Sequence, residues 1–333
     1  MEVAPGLYQL KVPMPGPLEY VLAYLFPCDG GYTLVDPGWP SDEAFAALGA
    51  QLQEIGAALT DIRRLVITHV HHDHYGLAAR VKEASGAEVL LHERDWEAVQ
   101  PYVDDPDGAV RQMQRFLAMH GVPRDEIEAV PVPAQILRDV IMRALPDRTL
   151  RGGEVIEGEG FRWEVIWTPG HSAGHVCLYE RDRQLLLSGD HVLPVITPHL
   201  SFVGRPGSDP LGDFLRSLEA LKPLAVRTVY PAHEFAFDNL RERIEQIELH
   251  HLARMREMLD ALASGPLTAY DVAHHVTWVT GDFRDFDFAM QGAAVRETLA
   301  HLEHGVVTGH IACGLEEGLY RYRLAQGAAG QIT

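Results

Sequence analysis

Thr68-His69-Val70-His71-His72-Asp73-His74-Tyr75-Gly76 sets spaced imidazoles and a carboxylate into nine residues, directly after the apolar run Leu65-Val66-Ile67. Imidazole and carboxylate are ligands for zinc, iron or manganese, and a strand end followed by a tight loop can aim several of them at one point. The alternative is a chance tract, since the chain carries 18 histidines and a surface cluster could look similar.

Three further segments repeat the arrangement. Thr168-Pro169-Gly170-His171-Ser172-Ala173-Gly174-His175 follows the strand-like Trp163 to Trp167, and Pro169-Gly170 makes a turn that presents His171. Ser188-Gly189-Asp190-His191 follows the apolar Leu185 to Leu187, and Pro231-Ala232-His233-Glu234 follows Val226 to Tyr230. In four places a β-like run ends in a short loop carrying His or Asp.

With these residues in order, the chain resembles the metallo-β-lactamase fold superfamily over roughly residues 5 to 260. The resemblance implies an αββα sandwich of the α+β class. It also implies two divalent metal ions, with zinc the first expectation and iron or manganese the alternatives. His69, His71 and His171 would hold one metal, Asp73, His74 and His233 the other, and Asp190 would bridge them. Asp190 stands where the antibiotic-hydrolysing zinc enzymes usually have cysteine, so the chain looks closer to the glyoxalase II branch. Two metals about 3.5–4 Å apart can share and acidify a water and polarise the oxygen of the bond it attacks. A bridging hydroxide is the implied nucleophile, and Asp73 the implied catalytic residue that orients it. No serine nucleophile is needed, because Ser172 and Ser188 have no base that is not already spent on metal.

Composition is that of a globular chain of one large or two modest domains: 333 residues, 47% hydrophobic. Lys plus Arg number 28 against 47 Asp plus Glu, a net charge of −19. Such a surface repels nucleic acid and anionic membranes, so an anionic substrate needs a local positive patch or the metals. Cys28, Cys177 and Cys313 are far apart in sequence, which argues against a disulfide framework or a thiolate metal site and for a reducing cytoplasm. Met1 to Leu10 lacks the basic start and apolar core of a signal peptide, and no run approaches a membrane span.

Tyr20 to Phe26, a turn at Asp29-Gly30-Gly31 and Tyr32 to Val35 read as a hairpin; Ser41 then caps a helix with Ala44, Phe45, Leu48 and Leu52 on one face. Leu77 to Ala84 reads as helix and Glu88 to Leu91 as strand. Residues 1–260 are expected to form the catalytic domain. Within it, residues 98–150 form a helical insertion with stripes at Val110, Met113, Phe116, Leu117 and at Ile136, Val140, Ile141, broken at Gly121-Val122-Pro123. It reads as a lid, a cap on the sandwich, or a homodimer contact. Met113, Met119 and Met142 are candidates for an adaptable apolar pocket.

Residues 261–333 are expected to form a small winged-helix-like domain, with a capped helix at Thr268, a helix over Gln291 to Glu303, and a hairpin at Gly318 to Tyr322. The tail and the preceding Leu249 to Arg254 helix look like the β-lactamase-like protein 2 group, some of whose members cleave RNA. From residue 267 onward, however, four arginines and no lysine stand against eight acidic residues, and a wing that grips phosphate should be basic.

Among the remaining residues, His72 is expected to face solvent and His175 to orient a neighbour. His191, His199 and Tyr75 are candidate substrate contacts, and Tyr75 and Glu234 put bulk or charge beside the metals. No cluster of Lys and Arg follows Asp190; Arg205 stands alone there. The first functional expectation is hydrolysis of a small-molecule ester, thioester or lactone, similar to hydroxyacylglutathione hydrolase. The second is a metal-dependent phosphodiesterase acting on RNA. The third is a diiron redox protein or a ligand-binding protein without turnover.

Overall fold

The structure is a computed structural model of the 333-residue chain and describes residues 1–129, 143–204, 208–279 and 281–326. The expected stripe at Ile136, Val140 and Ile141, together with Met142 and Arg205, lies outside the described residues.

Strands β1 (Glu2–Ala4), β2 (Leu7–Pro13), β3 (Tyr20–Cys28), β4 (Gly31–Val35), β5 (Ile62–Val66), β6 (Glu88–His92) and β7 (Arg148–Leu150) form one sheet in chain order. Helices α1 (Asp42–Glu54), α2 (His72–Tyr75) and α3 (Ala78–Ser85) lie between its later strands, and pairing from β4 to β7 is parallel. Ser41 caps α1 by accepting from the Ala44 amide at 3.0 Å, and Ala44, Leu48 and Leu52 are its buried face. A second sheet runs in the order β12-β11-β10-β9-β8, from β8 (Val155–Gly158), β9 (Phe161–Trp167), β10 (Val176–Glu180), β11 (Leu185–Gly189) and β12 (Thr228–Pro231).

The period-2 alternation of β3 shows why the two sheets stack. Leu22, Tyr24 and Phe26 meet Trp163, Val165 and Leu187 of the second sheet, while Val21, Ala23 and Leu25 face the opposite way into the layer holding α1 and α3. The second sheet buries its outer face, including Cys177, Tyr179 and Leu186, against α7 (Pro210–Leu221) and α8 (Leu240–Leu262). The result is the expected αββα order, helix layers outside two sheets.

Between β6 and β7 lie α4 (Glu93–Asp104), α5 (Pro106–Met119) and α6 (Arg124–Ala129), with Gly121-Val122-Pro123 between α5 and α6. C-terminal to α8 come α9 (Ala269–Ala273), α10 (Phe288–Val307) and the hairpin β13 (Ile311–Glu316) with β14 (Leu319–Leu324). Glu317 and Gly318 both have positive φ, 51° and 84°, the backbone a two-residue hairpin turn requires. Val295, Leu299, Ile311 and Tyr322 share one core with Leu117 and with the outer face of the second sheet. The end of α5 and α6 also bind this segment directly: the Tyr270 amide donates to the His120 carbonyl, and the Tyr270 hydroxyl donates to Glu126. No helix among the described residues is long and apolar enough to cross a membrane.

Candidate metal centre

The site lies where the strands of both sheets end. β4 and β5 run parallel and release Asp36 and the loop from Ile67; β11 and β12 run parallel and release Asp190 and His233; β9 releases His171. Hydrogen bonds across the two sheets fix this edge, from the Leu22 amide to the Ala232 carbonyl at 2.7 Å and from the Val176 amide to the Thr68 carbonyl at 2.9 Å. Gly170 sits at φ 139°, and a Cβ there would come within 2.5 Å of the Phe214 Cα, so the turn presenting His171 requires glycine.

Seven of the sequence candidates converge. His69 Nε2, His71 Nδ1 and His171 Nε2 form a triangle with edges of 2.9, 3.0 and 3.2 Å. Ligands bound at zinc–nitrogen lengths in a tetrahedron are separated by roughly 3.3 Å, so the triangle fits one face of such a site. Asp73 Oδ2 lies 3.6 Å from His74 Nε2 and 3.2 Å from His233 Nε2. Asp190 reaches both groups: Oδ2 is 3.5 Å from His171 and 3.5 Å from His74, and Oδ1 is 3.4 Å from His233. Sets His69-His71-His171, His69-His74-Asp190 and Asp73-His74-His233 could each hold a cation.

The surrounding hydrogen bonds place the imidazole protons on the outer nitrogens. His74 Nδ1 donates to Asp36 Oδ2 at 2.9 Å, His171 Nδ1 to the His199 carbonyl at 2.7 Å, and His233 Nδ1 to the Tyr20 carbonyl at 3.3 Å. Thr68 Oγ1 donates to Asp36 Oδ2 and accepts from His69 Nδ1. These assignments follow from the partners, and they leave four Nε2 lone pairs aimed inward, the tautomer a metal ligand needs. Buried atoms His74 Nε2 and Asp190 Oδ1 have no hydrogen-bond partner among the described residues. The donor set thus fits a pair of divalent cations.

The electrostatics point the same way. Burial and neighbouring imidazoles drive His69 and His71 far below the ordinary histidine pKa. Burial also opposes a charge on His233, but Asp190 and Asp73 outweigh it and push the pKa up to about 10. Burial would raise Asp73, yet His74 and His233 hold its carboxyl below the usual range. Carboxylates packed this way require positive charge, from protons or from metal.

His175 takes the orienting role expected of it, with Nε2 accepting from the Asp190 amide at 3.1 Å and Nδ1 donating to Thr68's counterpart on the other loop, Thr168 Oγ1, at 2.8 Å. Other expectations need correcting. Tyr75 is fully buried and donates to the Ala144 carbonyl, so it anchors the loop and touches no substrate space. His191 is fully buried against Phe214 and His175. The His199 ring is taken by Glu297 and Ser201, at 3.0 and 2.7 Å, and only its carbonyl serves the site. His72 is half-buried beside Trp39 and lines the cavity. The Glu234 carboxylate accepts from the Val195 and Ile196 amides. Ser172 and Ser188 donate to Asp95 and to the Val192 carbonyl.

Two carboxylates escaped the sequence reading. Asp36, at φ 53°, holds Thr68 and His74. Asp95, fully buried, accepts from the Val70 amide, Ser172 Oγ and the Gly174 amide at 2.9, 2.9 and 2.6 Å, tying the first metal loop to the His171 loop. The signal for Asp36 was its place in Asp36-Pro37-Gly38 at a strand end; Asp95 gave none.

Beside His71 and His171 opens a cavity of about 390 Å³. Its walls come from α4 and α5, from the His171 loop, from Ser201, Val203, Ser208, Pro210 and Asp213, and from α10.

The Metallo-beta-lactamase superfamily model matches residues 16–233. A Bacillus subtilis protein named "Probable metallo-hydrolase YqjP" is 31% identical over 80% of this chain and 83% of its own length. A crystal structure of a metallo-β-lactamase family protein from Thermus thermophilus superposes with a TM-score of 0.82 at 32% identity, covering 97% of this chain and 100% of that one. An atrochrysone carboxyl ACP thioesterase of Aspergillus fumigatus is 30% identical over 33% of this chain and 32% of its own length.

Proposed function

The chain belongs to the metallo-β-lactamase superfamily, and on that premise we propose that it is a dinuclear metal-dependent hydrolase of an ester, thioester or lactone carbonyl. The observation that carries this reading is the convergence of His69, His71, Asp73, His74, His171, Asp190 and His233, with the imidazole lone pairs aimed inward. His69, His71 and His171 would hold one ion, Asp73, His74 and His233 the other, and Asp190 both. Zinc suits this donor set best, with iron or manganese as alternatives. When bound, such a pair supplies an acidified water and positive charge for a developing oxyanion.

The chain's own residues do the rest. Asp73, held deprotonated by His74 and His233, is the base that takes and orients the water's proton. Asp36 and the Tyr20 and His199 carbonyls keep imidazole orientation fixed during turnover. The cavity beside His71 and His171 would seat the acyl part of a small substrate, with α4 and α5 as its lid. The thioester preference draws on the related fungal protein, whose name gives it as a thioesterase. The segment 261–333 is read as a winged-helix-like unit whose work is to complete this cavity rather than to grip nucleic acid, as its acidic composition suits.

Elemental analysis and a panel of thioester, lactone and aryl-phosphodiester substrates test the reading, with wild type, Asp73→Ala and His171→Ala in parallel. The expected result is about two metals per chain in the wild type and carbonyl hydrolysis that falls in Asp73→Ala by on the order of 10²–10⁴-fold. Phosphodiester turnover alone would replace the proposal with the nuclease, and full metal content and activity in both variants would remove it.

A further inference from the structure

Among the groups lining the cavity, Arg296 of α10 is the one whose charge the rest of the protein leaves unanswered. It keeps only partial access to solvent, and burial lowers the pKa of its guanidinium. Among the described residues, no carboxylate lies within ion-pair distance of it. The acidic groups nearby are committed elsewhere: Glu297 to His199 at 3.0 Å, and Asp213, also on the cavity wall, to Arg216 at 2.5 Å. Tyr102 of α4, which lines the same cavity, is the titratable group that acts on Arg296 electrostatically.

A guanidinium withdrawn from water without an anion is costly, and the geometry that makes it favourable is a bidentate oxyanion. The cavity that Arg296 lines is the one that His71 and His171 line, and Val70, Val99 and Met113 give it apolar lining. We propose that Arg296 is the specificity residue of this cavity and that the substrates are acyl esters or thioesters bearing an oxyanion, carboxylate or phosphate, beyond a short apolar spacer. This rests on the hydrolase reading and adds a substrate class to it. It also resolves a tension in the composition: a chain of net charge −19 repels anions at long range, so an anionic substrate must be held by a positive group inside the pocket. The segment after Asp190 lacks a Lys and Arg cluster, and α10 supplies a cation to the same cavity.

Binding is measured first, by calorimetry on metal-free protein with hexanoate, hexyl phosphate and neutral hexanamide. Hexanoate or hexyl phosphate should bind more tightly than the amide, the stronger of the two identifying the oxyanion. Arg296→Met should weaken that binding by on the order of 10- to 100-fold, and Arg296→Lys should restore part of it. Equal binding by wild type and Arg296→Met, or no binding of either anion by the wild type, overturns the proposal.

Metal-loaded enzyme is then compared on an octanoyl thioester and the matching thioester of octanedioic acid. The wild type should prefer the substrate with the free carboxylate, and Arg296→Met should lose that preference through KM rather than kcat. A preference unchanged in Arg296→Met overturns the proposal and leaves the hydrolase reading standing. Arg296-dependent anion binding without hydrolysis of any carbonyl substrate has the opposite meaning: the anion site stands and the hydrolase reading falls.

Discussion

At the residue scale the site depends on groups that never face the substrate. Asp36 accepts from the Thr68 amide and hydroxyl at 2.8 and 2.7 Å and from His74 Nδ1 at 2.9 Å. Asp36→Asn tests this role cleanly, because Asn tolerates the left-handed backbone that Asp36 adopts at φ 53°. The amide can no longer accept from both Thr68 Oγ1 and His74 Nδ1 at one oxygen while carrying charge, so the His74 ring loses its anchor. Loss of such an orienter costs roughly 10–100-fold in metal affinity, to be read by chelator competition; unchanged affinity would reduce Asp36 to a holder of the Thr68 turn. The residues proposed as metal ligands were legible because each sits in a short motif after an apolar run. Asp36 and Asp95 were not, because their partners lie 25 to 79 residues away in sequence and only the folded sheet edges bring them together. Tyr75 misled for the complementary reason: it adjoins His74 in the chain, but one turn of α2 points it into the core.

At the scale of elements, strand and loop alternation carried the sandwich, since a short apolar run bounded by turns, such as β3, and an alternating run, such as β9, both read as strands whichever partners they find. What the periodicity could not tell is which loops are clamped. Residues 190 to 204 carry Asp190 and the His199 carbonyl, and α8 holds this stretch through one side chain. Arg243, buried, donates to the carbonyls of Leu193, Val195 and Ile196 at 2.6, 2.8 and 2.8 Å, while Glu234 accepts from the amides of Val195 and Ile196. Arg243→Met keeps the apolar stem in α8 and strips three acceptors of their donor. A charged hydrogen bond contributes about 1.5–3 kcal/mol, so the variant should unfold several degrees lower and expose the 190–204 loop to limited proteolysis. An unchanged cleavage pattern would mean that the loop is held by Glu234 and its own packing. The same limit of periodicity hid the role of α10: its stripe of Val295, Leu299 and Leu302 predicted burial, whereas the position between them, Arg296, became visible only when the fold brought it to the cavity that α4 also lines.

At the scale of the whole molecule, histidine chemistry divides into two populations with different consequences for acid stability. One population converges on the proposed metal centre. The other is buried for packing: His120 lies under Phe116, Tyr320 and Tyr322 between the insertion and the C-terminal hairpin, and His301 lies against His251 between α8 and α10. Burial pushes both down to about 4. The unfolded chain therefore binds protons on these rings near pH 6.5 that the folded chain refuses until about 4. Their contribution to stability is complete above the unfolded value and is lost as pH falls through that window. Glu297, which His199 helps hold at about 2 against the effect of burial, continues the loss at lower pH, whereas Glu303, raised by burial, opposes it. The net expectation for metal-free protein is a thermal midpoint that drops steadily from pH 6.5 to 4, a loss on the order of several kcal/mol. Because His120 and His301 hold the C-terminal segment onto the sandwich, that segment should be the first to expose its amides to hydrogen exchange. The double variant His120→Phe, His301→Leu should flatten the profile, and an equally steep profile in that variant would assign the acid sensitivity to the metal-site histidines instead.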